Sequence, residues 1–142
     1  MTSPAVNVKQ LRHVLATADF AQLYRFELDH FAVGECTLRI PYQDSFQRPG
    51  GIVAGPVFMA AADIAVWLEI MTLLGDHVTA VTTELNTRFL SSAKREDFTC
   101  HGSILKTGRR LIHAVAECRT LQGKLLTHHT CTYIKLAERD QP

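Results

Sequence analysis

The sequence predicts an α+β domain in which a curved antiparallel sheet of about six strands wraps around one long helix. Three observations predict it. Residues 56–74 are apolar on nearly all sides over their first three turns, and such a helix has to be surrounded by other structure. Four segments after it, 78–90, 97–106, 110–120 and 125–136, read as strands joined by short links. Two further strand-like segments, 23–31 and 35–40, precede the helix and break at Gly34, which reads as a hairpin.

Each element has its own local signal. In residues 6–19, Val8, Leu11, Val14 or Leu15, and Ala18 recur at helical spacing, which predicts a short amphipathic helix. Residues 42–55 form a polar loop containing Arg48-Pro49-Gly50-Gly51. Pro56 suits a first helical position, where its missing N–H does no harm, and Gly75 suits a helix stop. Thr107-Gly108-Arg109 and Gln122-Gly123 read as tight hairpin turns, with glycine available for positive φ. No repeat, low-complexity stretch or linker divides the chain, so residues 1–142 are expected to be one domain.

Composition narrows the function classes. A hydrophobic content of 46% and a charged content of 20% are those of a soluble globular protein. A net charge of +1 gives no electrostatic reason to expect a nucleic-acid or membrane partner. Asp63 and Glu69 interrupt the best apolar run, and the first residues lack the basic region and apolar core of a signal peptide. A cytoplasmic address is therefore expected. Cys36, Cys100, Cys118 and Cys131 show no C-x-x-C spacing, which predicts buried, reduced thiols and no metal site.

Within residues 57–68 every side chain except Asp63 is apolar. Helical spacing places Asp63 on a stripe with Met59, Ala60, Val66, Trp67 and Ile70, so it is expected to point into an apolar interior. Burial raises a carboxylate's pKa toward the range of a general base, and such shifts cluster at functional sites. A structural reading stands beside that one: an Asp bonded into a network, or open to solvent at a subunit boundary. Along the strand 78–90, Val81, Leu85 and Phe89 are expected to meet the helix. Thr82, Glu84, Asn86 and Arg88 then lie on the other face, either solvated or lining a shared cleft.

The segment from Gly50-Gly51-Ile52-Val53-Ala54-Gly55-Pro56 through Ala62-Asp63-Ile64-Ala65 resembles the active-site region of hotdog-fold acyl-CoA thioesterases of the PaaI-like, phenylacetic-acid-pathway type. The resemblance runs over nearly the whole chain. It takes in the strand Ala80 to Leu90, the turn Leu105-Lys106-Thr107-Gly108-Arg109-Arg110-Leu111 and the closing His129-Thr130-Cys131-Thr132-Tyr133. In that family His-Gly-Gly precedes, by six residues, an Asp or Glu on the central helix. Here Ala54-Gly55-Pro56 stands in that place and Asp63 takes the acidic position.

The resemblance implies a thioester hydrolase that works as a homodimer, or as a homotetramer of paired dimers, with its site between subunits. Gly55 would offer its N–H to the thioester carbonyl, Asp63 would act as general base or nucleophile, and Thr82 would position water. Thr83 is the neighbouring candidate for Thr82's part, and strand packing alone also accounts for either threonine. Arg48 departs from the family, falling near where many relatives carry an Asn that contacts the substrate or the water; it is expected to contact substrate together with Gly51 and Met59, with Phe58 and Trp67 beside Met59 around the acyl pocket, although core packing explains these apolar residues equally well. Arg88 and Lys94 are the cations favoured for the CoA phosphates, while a solvated loop cation is the plainer reading of Arg48. No metal or redox cofactor is implied, and coenzyme A enters only as part of the substrate. The family histidine is replaced by Ala54, which counts against a 3-hydroxyacyl thioester dehydratase and leaves a non-catalytic acyl-CoA binding or sensing protein as the second class.

Other chemistry is unsupported. His128 and His129 are adjacent on a strand and point to opposite faces, and His101 and His113 have no acidic partner nearby in sequence. Ser91 and Ser92 lack a G-x-S-x-G elbow, and no Gly-Lys-Ser/Thr follows Gly50-Gly51.

Overall fold

In the computed structural model, which describes residues 3–137, the sheet and helix take the expected arrangement. Helix α1 (Val8–Thr17) opens with a capping box, in which Asn7 and Gln10 exchange side-chain and backbone hydrogen bonds. It buries Leu11 and Leu15. A second helix, α2 (Asp19–Tyr24), follows where the sequence led to expect the start of a strand at residue 23. Arg25, with φ 55° and ψ 37°, ends α2 in the left-handed region, so Leu23 and Tyr24 remain helical.

Strands β1 (Glu27–Ala32) and β2 (Glu35–Ile40) form the first hairpin. The loop after them is more ordered than its composition suggested. It contains a short 3₁₀ turn and a small hairpin of β3 (Gln47–Arg48) and β4 (Ile52–Val53). Gly50 and Gly51, at φ 100° and 75°, make the reversal between them. Helix α3 (Gly55–Leu74) comes next, then β5 (Ala80–Phe89), β6 (Phe98–Thr107), β7 (Leu111–Thr120) and β8 (Leu125–Lys135). Of the two glycines expected to give positive φ in the β6–β7 and β7–β8 turns, only Gly123 does so, at 98°. Gly108 instead serves a close approach, its N–H donating to the Leu111 carbonyl at 2.8 Å.

The six long strands form one antiparallel sheet in the order β1-β2-β6-β7-β8-β5, so β1 and β5 are its edges. Helix α3 is long and apolar enough to cross a membrane, but it is the core helix and the sheet buries most of it. Leu68, Ile64 and Ala65 of α3 meet Leu38, Ile40, Phe98 and Cys100 from the sheet, all fully buried. Burying each large aliphatic side chain contributes about 1.5–3 kcal/mol. Phe58 and Phe98 pack with ring centroids 4.8 Å apart. All four cysteines are free thiols and buried.

One irregularity re-aims the edge strand. Between Thr82 (opposite Tyr133) and Glu84 (opposite Thr132) the register shifts, leaving Thr83 as an extra, bulged residue. The alternation of faces therefore reverses there. Thr82 shares the inner face with Leu85, Thr87 and Phe89, across from the buried Tyr133, Cys131, His129 and Thr127. This corrects the expected face assignment on two points. Thr82 turns toward α3 instead of joining Glu84 and Arg88, and Val81, expected to meet the helix, is 42% exposed.

Candidate active site

The start of α3 is where backbone donors become available. Ala54 is extended, with no side-chain cap, and Pro56 has no N–H. The Gly55 N–H makes no hydrogen bond among the described residues, while the next donor, Val57 N–H, bonds Ala54 O at 3.1 Å. Gly55 thus presents a free donor at the positive end of a twenty-residue helix. A cavity of about 440 Å³ opens beside it, lined chiefly by Ile52, Val53, Phe58, Phe89 and Leu90, with Arg48, Ser91 and Ser92 at its polar margin. The absence of a side chain at Gly55 matters, because a Cβ there would stand 3.1 Å from the Phe89 ring.

Asp63 lies two turns further along α3. It is half-buried, not sealed in the interior as its apolar neighbours suggested. The Thr82 hydroxyl donates to Asp63 Oδ1 at 2.7 Å, and the Tyr133 hydroxyl donates to the same oxygen at 2.8 Å. Tyr133 also reaches the Asp63 main-chain carbonyl at 3.0 Å. Thr82 and Tyr133 are direct cross-strand partners on β5 and β8, so register and bulge together bring both hydroxyls to one carboxyl oxygen. Oδ2 accepts no hydrogen bond among the described residues and is not a buried atom.

The carboxyl group that burial does push up is Glu69, six residues later on the same helix. It is fully buried, neither of its oxygens has a hydrogen-bond partner among the described residues, and burial, with the Glu35 charge as a second cause, holds its pKa well above the ordinary value. Its carboxyl lies over Gly102 of β6, where an added Cβ would land on Oε1.

The remaining candidates fall into two groups. Arg48 and Gly51 sit on the β3–β4 hairpin, and the loop carrying Lys94 leans on it: Val53 N–H bonds Ala93 O at 2.9 Å, and Arg95 Nε bonds Gln47 Oε1 at 2.7 Å. These three therefore gather near the start of α3. Met59, half-buried, stands one turn before Asp63 on α3. Trp67 packs against Phe20 of α2, with ring centroids 5.8 Å apart. Thr83 Oγ1 bonds Thr132 O at 3.3 Å, and Arg88 lies on the face of β5 opposite Phe89, so neither faces the cavity. His129 is fully buried between the Thr87 and Thr127 hydroxyls, at 2.9 and 2.7 Å, while His128 is half-buried. Sequence reasoning missed Tyr133 as a partner of Asp63, since only the packing of α3 against β8 brings the two together.

Comparison with known proteins fits this geometry. The sequence pattern of the thioesterase superfamily matches residues 50–127, from the β3–β4 turn into β8. A protein of Saccharolobus solfataricus named "Putative esterase" is 31% identical over 121 residues, covering 83% of this chain and 84% of its own length. A structure from Silicibacter sp. TM1040, titled as a putative thioesterase, is 27% identical, with a TM-score of 0.85 and 94% of each chain covered. A thioesterase from Haemophilus influenzae shares the fold at 18% identity, with a TM-score of 0.84 over 92% of this chain and 91% of its own. With more than half of its length inside the family pattern, the chain belongs to the thioesterase superfamily and is a thioester hydrolase built on the hotdog fold.

Proposed function

We propose that the protein hydrolyses acyl-CoA thioesters, with Asp63 as the reacting carboxylate, Gly55 as the oxyanion donor and Thr82 as a positioning hydroxyl. The observation that carries this reading is the state of Asp63: one oxygen is fixed by two hydroxyls and the other is open, in a half-buried setting. Such a group takes a proton from water as the water attacks the carbonyl carbon, or attacks that carbon itself to give an anhydride that water then cleaves. By either route the C–S bond breaks and the sulfur leaves as a thiolate, which takes up the proton that Asp63 removed from water or, on the anhydride route, a proton from solvent. The Gly55 N–H, at a helix start, suits the charge that gathers on the carbonyl oxygen.

The working site needs two copies of the chain. Gly55 and Asp63 are eight residues apart on one helix, about 12 Å along its axis, too far for one carbonyl group to meet both. A second copy supplies the Asp63 that faces the first copy's Gly55. The edge strand β5 supports this assembly, because it leaves Phe89, which lines the cavity, 56% exposed and Val81 42% exposed. A homodimer is the smallest unit that satisfies the geometry, and a homotetramer is two such units paired. The apolar cavity takes the acyl group; Arg48 at its margin meets a CoA phosphate, and Lys94, on the loop that leans on the β3–β4 hairpin, is the second cation.

Thiol release from short, medium and aromatic acyl-CoAs tests this reading. Turnover on at least one of them is expected. Tight CoA binding with no release from any would favour an acyl-CoA sensor, the second reading kept open by Ala54 in place of the family histidine.

A further inference from the structure

We infer that Tyr133 is a positioning residue that selects Oδ2 as the oxygen of Asp63 that reacts; the inference rests on the reading of Asp63 given above. The geometry is specific. Tyr133 is 4% exposed and packs in a cluster with Val66, Ile70, Ile112, Ala114 and Cys131, so its ring has one place to go. From there the phenol proton is shared between Asp63 Oδ1 at 2.8 Å and the Asp63 carbonyl at 3.0 Å. That pair of contacts fixes both the side chain and the helix backbone beneath it. Thr82 adds a second donor to Oδ1 from the opposite strand.

A carboxylate with two donors on one oxygen cannot rotate without losing both. Its most basic lone pairs are then those of Oδ2, which accepts no hydrogen bond among the described residues and is not a buried atom. A buried tyrosine needing only somewhere to put its hydroxyl would be satisfied by the main-chain carbonyl alone; contact with the side chain is what gives Tyr133 leverage on the chemistry. Burial, and after it the Asp63 charge, push the Tyr133 phenol above its ordinary range, so it stays a donor at working pH.

The test is the pH profile of thiol release by wild type, Tyr133→Phe and Asp63→Asn, on whichever acyl-CoA the wild type cleaves. Removing a donor to an ionised carboxylate makes that form harder to reach. Tyr133→Phe is therefore expected to lower kcat about 10–100-fold, leave KM within about twofold, and move the acid limb of kcat/KM up by about one pH unit. Turnover retained in Asp63→Asn overturns the reading and the inference together. Turnover lost there, with kcat and acid limb unchanged in folded Tyr133→Phe, overturns the inference alone. Should Tyr133→Phe fail to fold, 3-fluorotyrosine at position 133 keeps the shape and strengthens the donor; the acid limb then moves down, and an unmoved limb overturns the inference.

Discussion

Helix α3 carries two carboxyl groups six residues apart, and the structure treats them in opposite ways. Asp63 is half-buried, accepts two hydroxyl hydrogen bonds on one oxygen and keeps the other open. Glu69 is fully buried, has no partner for either oxygen among the described residues, and burial drives it toward its protonated form. The sequence assigned to Asp63 the burial that belongs to Glu69. The contrast teaches that an acid in an apolar helix is not a site because it is buried. It becomes one when partners fix its orientation and leave an oxygen that a substrate can reach.

The comparison can be broken from either side. The largest effect on stability is expected from Gly102→Ala, because the new methyl group occupies the place of the Glu69 carboxyl. A loss of about 1–3 kcal/mol is expected in chemical denaturation, as for other overpacked cores. Combining it with Glu69→Ala should recover part of that loss, since the carboxyl that obstructs the methyl is then gone. Failure of the double variant to recover would mean that Gly102 is needed for another reason.

Glu69→Gln sharpens the comparison through pH. The folded-state pKa of Glu69 is raised above its unfolded value, so its contribution to stability is fully present below the unfolded pKa of about 4.5. It is lost progressively as pH rises toward the folded value. The stability of Glu69→Gln relative to wild type should therefore improve progressively as pH rises above about 4.5. Parallel stability–pH curves for the two proteins would contradict a buried, protonated Glu69. The smallest effect is expected from Thr82→Val, which removes one of two donors to Oδ1 while keeping the strand-forming shape. A loss of about 3–10-fold in kcat is expected, close to 1 kcal/mol in barrier. No loss would leave Tyr133 as the only hydroxyl that matters.

Much of the fold was legible because its signals are local. The all-round apolar helix demanded a wrapping sheet, Pro56 and Gly75 marked its ends, and short links marked the hairpins. Helix α2 was not legible: six residues ending in Leu23 and Tyr24 look like a strand start, and the stop at Arg25 comes from a backbone conformation with no glycine to announce it. The bulge at Thr83 was hidden for the same reason. It carries no glycine or proline, yet it decides that Thr82 faces Asp63. Tyr133 lies seventy residues from Asp63, and only the packing of α3 against β8 brings the two together. The cluster of Arg48, Gly51 and Lys94 likewise depends on a loop leaning on a hairpin, a contact that no periodicity encodes.

The most direct measurement places the two acids side by side: steady-state thiol release by Asp63→Asn and Glu69→Gln on the same acyl-CoA at the same pH. Loss of about 10²–10⁴-fold in kcat for the first, with the second within about threefold of wild type, is what a reacting Asp63 and a structural Glu69 predict. Turnover that survives in Asp63→Asn and collapses in a folded Glu69→Gln would contradict it.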